Sequence, residues 1–233
     1  MIFQRYETRF KAGERLSEFI KEKNIELFNY MKDNPEDNFC FAIPNGGVPV
    51  TEGFCNYFNI KYDLLIVRKI KIPWNTEAGF GSITTDGTVL INQALFKSLN
   101  LSEQDLKRAV QITKAEIQER LRLYDKNTIF EKNYKDKIQG KHIFMMDDGL
   151  ASGFTMLAAI KMIKKYNPKK LFVAVPTAPL HTTQRIQPEI DKIFCPNIRD
   201  VWRFAVADAY KNWYDVPESE VLEILKNSKF YVK

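Results

Sequence analysis

The segment Ile143-Phe144-Met145-Met146-Asp147-Asp148-Gly149-Leu150-Ala151-Ser152-Gly153-Phe154-Thr155 constrains this chain more than any other. Four apolar residues read as a buried strand, two carboxylates stand at its C-terminal end, and a short Gly/Ser stretch leads into a predicted helix at about 154–166. A strand that passes into a helix through a tight loop belongs to an α/β layer, where the helix crosses back over a parallel sheet. The junction is equally restrictive chemically. Backbone N–H groups of such a loop, and of the helix N-terminus, can enclose a phosphate that the helix dipole favours. Ser152 and Thr155 can add hydroxyl donors, and Gly153 permits close backbone approach. Adjacent carboxylates repel a phosphate, so Asp147 and Asp148 are better placed against neutral hydroxyls or a cation. A ribose diol a few ångströms from its own 5′-phosphate meets both demands. The ordinary alternative is a helix-capping cluster with two solvated aspartates.

The rest of the chain supplies a matching frame. Residues 14–32 carry Leu16, Phe19, Ile20, Leu27 and Met31 in a helical pattern that stops near Asn34-Pro35. Phe39–Ile43 is a short apolar run ending at Pro44-Asn45-Gly46-Gly47, a strand entering a turn, and 48–58 reads as helix. The run 63–70 (DLLIVRKI) is the next predicted strand. Residues 71–88, rich in Pro, Gly and Thr and without a sustained period, are expected to form the longest loop, functional or mobile. Ser102 with Asp105 forms a capping-box pattern before a long helix with the stripe Leu106, Val110, Thr113, Ile117, Leu121. Further buried strands are predicted at 142–147, 170–176 and 192–195. The expected fold class is therefore α/β: a mostly parallel sheet with helices on both faces, binding ligand beyond the carboxyl ends of its strands.

Composition narrows the function classes. With 233 residues, 45% hydrophobic and 27% charged, the chain suits one globular domain with a full core. No stretch approaches the roughly 18–20 apolar residues of a membrane span. The start MIFQRYETRFKAG lacks a signal-peptide core, and three dispersed cysteines (Cys40, Cys55, Cys195) suit a reducing cytoplasm. His142 and His181, the only histidines, have no paired ligand spacing and do not suggest a metal site. The net charge of +6 suits an anionic small ligand. Its densest patch, Lys161, Lys164, Lys165, Lys169 and Lys170, lies around one helix end, so nucleic acid is not expected as a partner.

The 143–155 string resembles the signature of type I phosphoribosyltransferases, which bind 5-phosphoribosyl-1-diphosphate (PRPP), and matches it at every required position. The ordered set RFKAGERL, IPNGGVPV, VRKI, DDGLASGFTM, VAVPTAP and a late aromatic stretch resembles a group of prokaryotic proteins predicted to be phosphoribosyltransferases. The resemblance implies the phosphoribosyltransferase-type fold: a central sheet of about five strands in one domain, 1–233, with a small hood from the termini (about 1–15 and 196–233). It implies Asp147 and Asp148 on the ribose hydroxyls, and with PRPP on Mg²⁺. Gly149, Leu150, Ala151, Ser152, Gly153, Phe154 and Thr155 would hold the 5′-phosphate. Asn45, Gly46 and Gly47, with Arg68 and Lys69, would hold the diphosphate. Adjacent strand residues face opposite ways, and the family pattern favours Lys69 as the catalytic cation. The family usually has Arg where this chain has Asn45. Phe204, Tyr210 and Trp213, with Tyr214, would stack an acceptor base or pack as a cap. Ala151 stands where enzymes for 6-oxopurines carry an Asp, so hypoxanthine and guanine are expected to be poor acceptors, and Glu77 is the first acid–base candidate. The implied reaction is transfer of the phosphoribosyl group to a nitrogen acceptor with release of diphosphate, in a homo-oligomer such as a dimer. The rival is a PRPP- or nucleotide-sensing regulator of the same fold with little or no turnover, of a kind that can bind nucleic acid.

Overall fold

A computed structural model describes residues 3–124 and 131–232, apart from the side chains at 76, 77 and 131–133. The chain opens with α1 (Arg9–Lys23), α2 (Ile25–Asp33), β1 (Asn38–Ala42), α3 (Gly47–Phe58) and β2 (Lys61–Leu64). Next come β3 (Val67–Ile72), β4 (Asn75–Thr84), β5 (Val89–Ile91), α4 (Gln93–Ser98), α5 (Glu103–Leu123) and α6 (Glu131–Ile138). The remainder holds β6 (His142–Met146), α7 (Phe154–Lys164), β7 (Lys170–Ala174), β8 (Thr177–Pro179), α8 (Leu180–Ile186), β9 (Lys192–Phe194), β10 (Asn197–Arg199) and α9 (Glu218–Asn227).

Five strands form one sheet in the order β2-β1-β6-β7-β9, every pairing parallel. Strand alternation divides its side chains between two cores. Cys40, Ala42, Phe144, Met146 and Phe172 pack with α1, α2, α3, α5 and α9. Phe39, Phe41, Ile143, Met145 and Val173 pack with α7 and with Tyr134 and Ile138 of α6. Both faces are covered, which is why these strands read as unbroken apolar runs. A second sheet, β3-β4-β5, is antiparallel, and β8 pairs with β10.

Three expectations need correction. The single helix at 14–32 is two helices, because Asn24 closes one and opens the other. Its backbone N–H donates to the Ile20 carbonyl at 2.7 Å, and its Oδ1 accepts from the Leu27 amide at 3.1 Å. The single strand at 63–70 is also two. β2 stays in the parallel sheet and β3 leaves it, with Ile66 at the switch. There the Thr85 hydroxyl accepts from the Ile66 amide at 2.9 Å and donates to its carbonyl at 3.1 Å, replacing a ladder partner. The loop expected at 71–88 is mostly strand β4. Its glycines make strand packing possible rather than flexible: a Cβ on Gly81 would stand 2.7 Å from the Leu90 carbonyl oxygen. The capping box at Ser102 and Asp105 is present in full.

The two ends of the chain meet. The Tyr6 amide donates to the Ala209 carbonyl at 2.9 Å, and the Lys211 amide donates to the Tyr6 carbonyl at 2.9 Å. No described helix is long and apolar enough to cross a membrane.

Candidate active site

β1 and β6 are neighbours in register, so the turns beyond their carboxyl ends are neighbours too. The Ile43 amide donates to the Met146 carbonyl at 2.9 Å, carrying the pairing to the last residue before each turn. α3 begins directly at Gly47. A Cβ on Gly46 would lie 2.0 Å from Asp148 Oδ2, and one on Gly47 would lie 2.8 Å from the Met146 carbonyl oxygen. Only glycine lets the 45–47 backbone come this close to the carboxylates. The two turns therefore share one rim.

The two aspartates differ in surroundings. Asp147 Oδ1 accepts from the Asp148 amide at 2.8 Å. Burial and the neighbouring Asp148 charge push its carboxyl well above the ordinary range. Burial also raises Asp148, but Arg9 pulls against that. Arg9 Nε donates to Asp148 Oδ2 at 2.8 Å, with the arginine 5% and the carboxylate 14% exposed. The Arg9 guanidinium lies 4.2 Å from the Trp213 ring centroid, 5.2 Å from Tyr214 and 5.3 Å from Tyr210, and donates to the Tyr214 carbonyl at 2.9 Å. Tyr210 closes the ring of contacts, its hydroxyl donating to the Asp148 carbonyl at 2.7 Å.

Beyond the carboxylates the 149–155 turn is anchored from behind. The Leu150 amide donates to the Thr177 carbonyl at 3.0 Å, the Thr182 hydroxyl to the Ala151 carbonyl at 2.7 Å, and Arg185 to the Ser152 carbonyl at 3.0 Å. The Ala151 and Ser152 carbonyls are thus occupied. Gly153 has φ +74° at the N-cap of α7, which opens without a side-chain cap. The Phe154 amide reaches the Ser152 hydroxyl at 3.5 Å, and the start of α7, beside the exposed Ala151 and Ser152, faces an anion favourably.

The remaining predicted residues do not all converge. Asn45 is engaged on both sides of its amide: Nδ2 donates to the Val216 carbonyl at 2.9 Å, and Oδ1 accepts from the Tyr124 hydroxyl at 3.0 Å. Arg68 is half-buried and lies in the field of Arg120 and Tyr124, whereas Lys69 is exposed on the opposite face of β3, against Gly79. Burial first, then the Arg120 charge, lowers the Arg68 pKa. Tyr210 and Trp213 belong to the Arg9 box, while Phe204 stands apart from it under Arg199, 5.9 Å from the guanidinium carbon. Glu77 falls in β4, and its side chain lies outside the described residues. Arg9 carried no signal as a site residue beyond its place in RFKAGERL, since its partner is 139 positions away.

Among the described residues, no cluster of three or more His, Cys, Asp and Glu could hold a metal ion by itself. The donors present fit a cation carried chiefly by a substrate: Mg²⁺ is ordinarily held by one or two carboxylates plus phosphate oxygens and water.

Comparison with known proteins fits this geometry. A family model described as the phosphoribosyl transferase domain matches residues 10–209. A Mycobacterium tuberculosis protein provisionally named a phosphoribosyl transferase is 27% identical over 186 residues, covering 79% of this chain; the chain spans 40% of that protein's length. A uracil phosphoribosyltransferase of Ureaplasma urealyticum is 36% identical over 63 residues, 26% of this chain and 30% of that enzyme. A Thermus thermophilus crystal structure aligns with a TM-score of 0.72 at 21% identity, covering 95% of this chain and 97% of that one, which speaks to the fold alone. Because the matching family model takes in both turns, both carboxylates and every strand of the parallel sheet, the chain belongs to the phosphoribosyl transferase family.

Proposed function

We propose that the chain is a phosphoribosyltransferase that binds PRPP with Mg²⁺ and transfers its phosphoribosyl group to a nitrogen acceptor, releasing diphosphate. One observation carries the reading: a Cβ on Gly46 would meet the Asp148 carboxylate at 2.0 Å. Paired carboxylates suited to hydroxyls thus sit between two turns suited to phosphates, matching the order of groups in PRPP. Asp147 and Asp148 accept from the ribose hydroxyls, and the amides and hydroxyls of 149–155 take the 5′-phosphate. The 45–47 turn takes the diphosphate with a cation from β3, and the half-burial of Arg68 beside Arg120 favours it over Lys69. Mg²⁺, when bound, would neutralise charge on the departing diphosphate, with Asp147 and Asp148 as its nearest carboxylates. The protein's own part is to hold C1 of the ribose open to attack and to stabilise the leaving group. The termini (about 1–15 and 196–233) form the hood over this site, with Trp213 and the more distant Phe204 as acceptor contacts. Three buried free thiols fit a reducing, cytoplasmic setting.

A diphosphate-release screen with PRPP, Mg²⁺ and a panel of bases and amines tests the reading. Release with at least one acceptor is expected, with hypoxanthine and guanine poor because Ala151 has no titratable group. Glu77→Gln should slow turnover if Glu77 handles the acceptor proton. A second reading is favoured by the Arg9–Asp148 pair, which already occupies one carboxylate oxygen: a PRPP or nucleotide sensor of the same fold. Saturable PRPP binding without release for any acceptor would select it.

A further inference from the structure

One guanidinium meets Asn45, and a second lies in the field of the first. Arg120, near the end of α5, donates to Asn45 Oδ1 at 3.4 Å and to the Tyr124 hydroxyl at 3.4 Å. It is also ion-paired to Glu218 at the start of α9. Arg68 approaches from β3. It is half-buried, lies in the field of Arg120, Tyr124, Glu116 and Glu218, and makes no hydrogen bond or ion pair among the described residues. Glu116 is committed elsewhere, to Lys71 at 3.0 Å.

The charge around Asn45 is therefore unbalanced. On the α5 and β3 side, Arg68, Arg120 and Lys71 face Glu116 and Glu218, leaving one positive charge in excess, while across the turn Asp148 is already matched by Arg9. A guanidinium cannot shed its proton, and half-burying one without a partner beside a second is costly. The excess stands next to Gly46 and Gly47, whose backbone opens a helix without a side-chain cap. Positive side chains beside a capless helix start attract an anion.

We infer that Arg120 of α5, together with Arg68, binds the diphosphate end of PRPP, adding side-chain cations to the backbone of the 45–47 turn. This rests on the reading of the chain as a PRPP-binding protein. Asn45 aims Arg120 through its Oδ1, and Glu218 holds the same guanidinium until the anion replaces it. Position 45 stands against Arg120, which lies in the field of Arg68. A third cation there would meet repulsion from both.

Calorimetric titration of the full chain with PRPP plus Mg²⁺, with diphosphate plus Mg²⁺, and with ribose 5-phosphate tests the inference. Arg120→Gln should weaken PRPP and diphosphate by about 10- to 100-fold, the range for hydrogen bonds to charged groups. Ribose 5-phosphate affinity should stay within about twofold, which also reports an intact fold. Asn45→Arg combined with Arg120→Gln should recover part of the loss, because it returns a guanidinium to the same place. Unchanged PRPP and diphosphate affinity in Arg120→Gln would overturn the inference, as would equal loss of all three ligands. A wild-type chain that binds diphosphate through Arg120 but not PRPP would keep the anion site and overturn the substrate reading. A wild-type chain that binds none of the three would overturn both.

Discussion

The turn after β6 and the hairpin of β3 and β4 are both rich in small residues, yet they use them differently. At 147–155 the small residues leave backbone exposed: Ala151 and Ser152 face solvent, and Gly153 adopts φ +74°. In β4 they do the opposite. Gly79 and Gly81 let β4 lie against β3 and β5, with Phe80 and Ile83 fully buried beside them. Glycine at a strand end serves a ligand, and glycine within a strand serves a neighbouring backbone. The strand-end turn should thus be sensitive in binding and tolerant in stability, and the buried packing positions of β4 the reverse.

Ile83→Ala gives the largest expected effect on that contrast. Removing this fully buried side chain should cost about 2–5 kcal/mol of stability, read by urea denaturation, with PRPP affinity in the folded protein almost unchanged. A matching collapse of affinity would mean that the packing of β4 also sets how β3 presents Arg68 to the site. In keeping with a strand, limited proteolysis without ligand should spare 75–84 and cut, if at all, at the exposed Trp74 tip.

Asp147→Asn and Asp148→Asn come next, on the binding side. Each should weaken PRPP by about 1.5–3 kcal/mol, the worth of a hydrogen bond to a charged acceptor. Their stabilities should diverge. The Asp147 carboxyl titrates above its unfolded value, so wild-type stability is higher where this group is protonated and falls as pH rises through the raised value. Asp147→Asn removes that loss, and its Tm at pH 8 should rise by roughly 2–4 °C for each kcal/mol recovered. Asp148→Asn strands Arg9, so its Tm should fall. Equal melting shifts in the two variants would show that Arg9 does not distinguish them.

Two glycine substitutions sharpen the contrast at smaller scale. Gly46→Ala places a methyl 2.0 Å from Asp148 Oδ2, and about a tenfold weaker PRPP affinity is expected as the carboxylate shifts. Gly87→Ala meets nothing within 4 Å but keeps φ +83°, so it should cost about 1 kcal/mol of stability and leave binding alone. A Gly46→Ala protein that binds PRPP normally would show that the two turns move independently.

The same contrast explains what could be read from the residues in order. β1, β6, β7, β9 and the capped start of α5 depend on runs and caps a few residues long, and all were legible. The break at Asn24 is local, one residue closing a helix and opening the next inside an unbroken apolar period, whereas the switch at Ile66 and strand β4 depend on partners elsewhere, such as Thr85 on Ile66. At the site, Asp147, Asp148 and both turns are local strings. Arg9 and Arg120 reach their partners across 139 and 75 positions, and nothing in their immediate neighbours announces that.

The enclosure of Asp148 by Arg9 and Tyr210 also sets an order of manufacture. Arg9 leaves the ribosome first, Asp148 follows, and Tyr210 emerges a further 62 residues later. At a synthesis rate of roughly 5–20 residues per second, the nascent acid pair waits about 3–12 s for its aromatic wall. β7 and β9 are made during that interval, so every strand of the parallel sheet precedes the aromatic wall, and only α9 of its covering helices follows it.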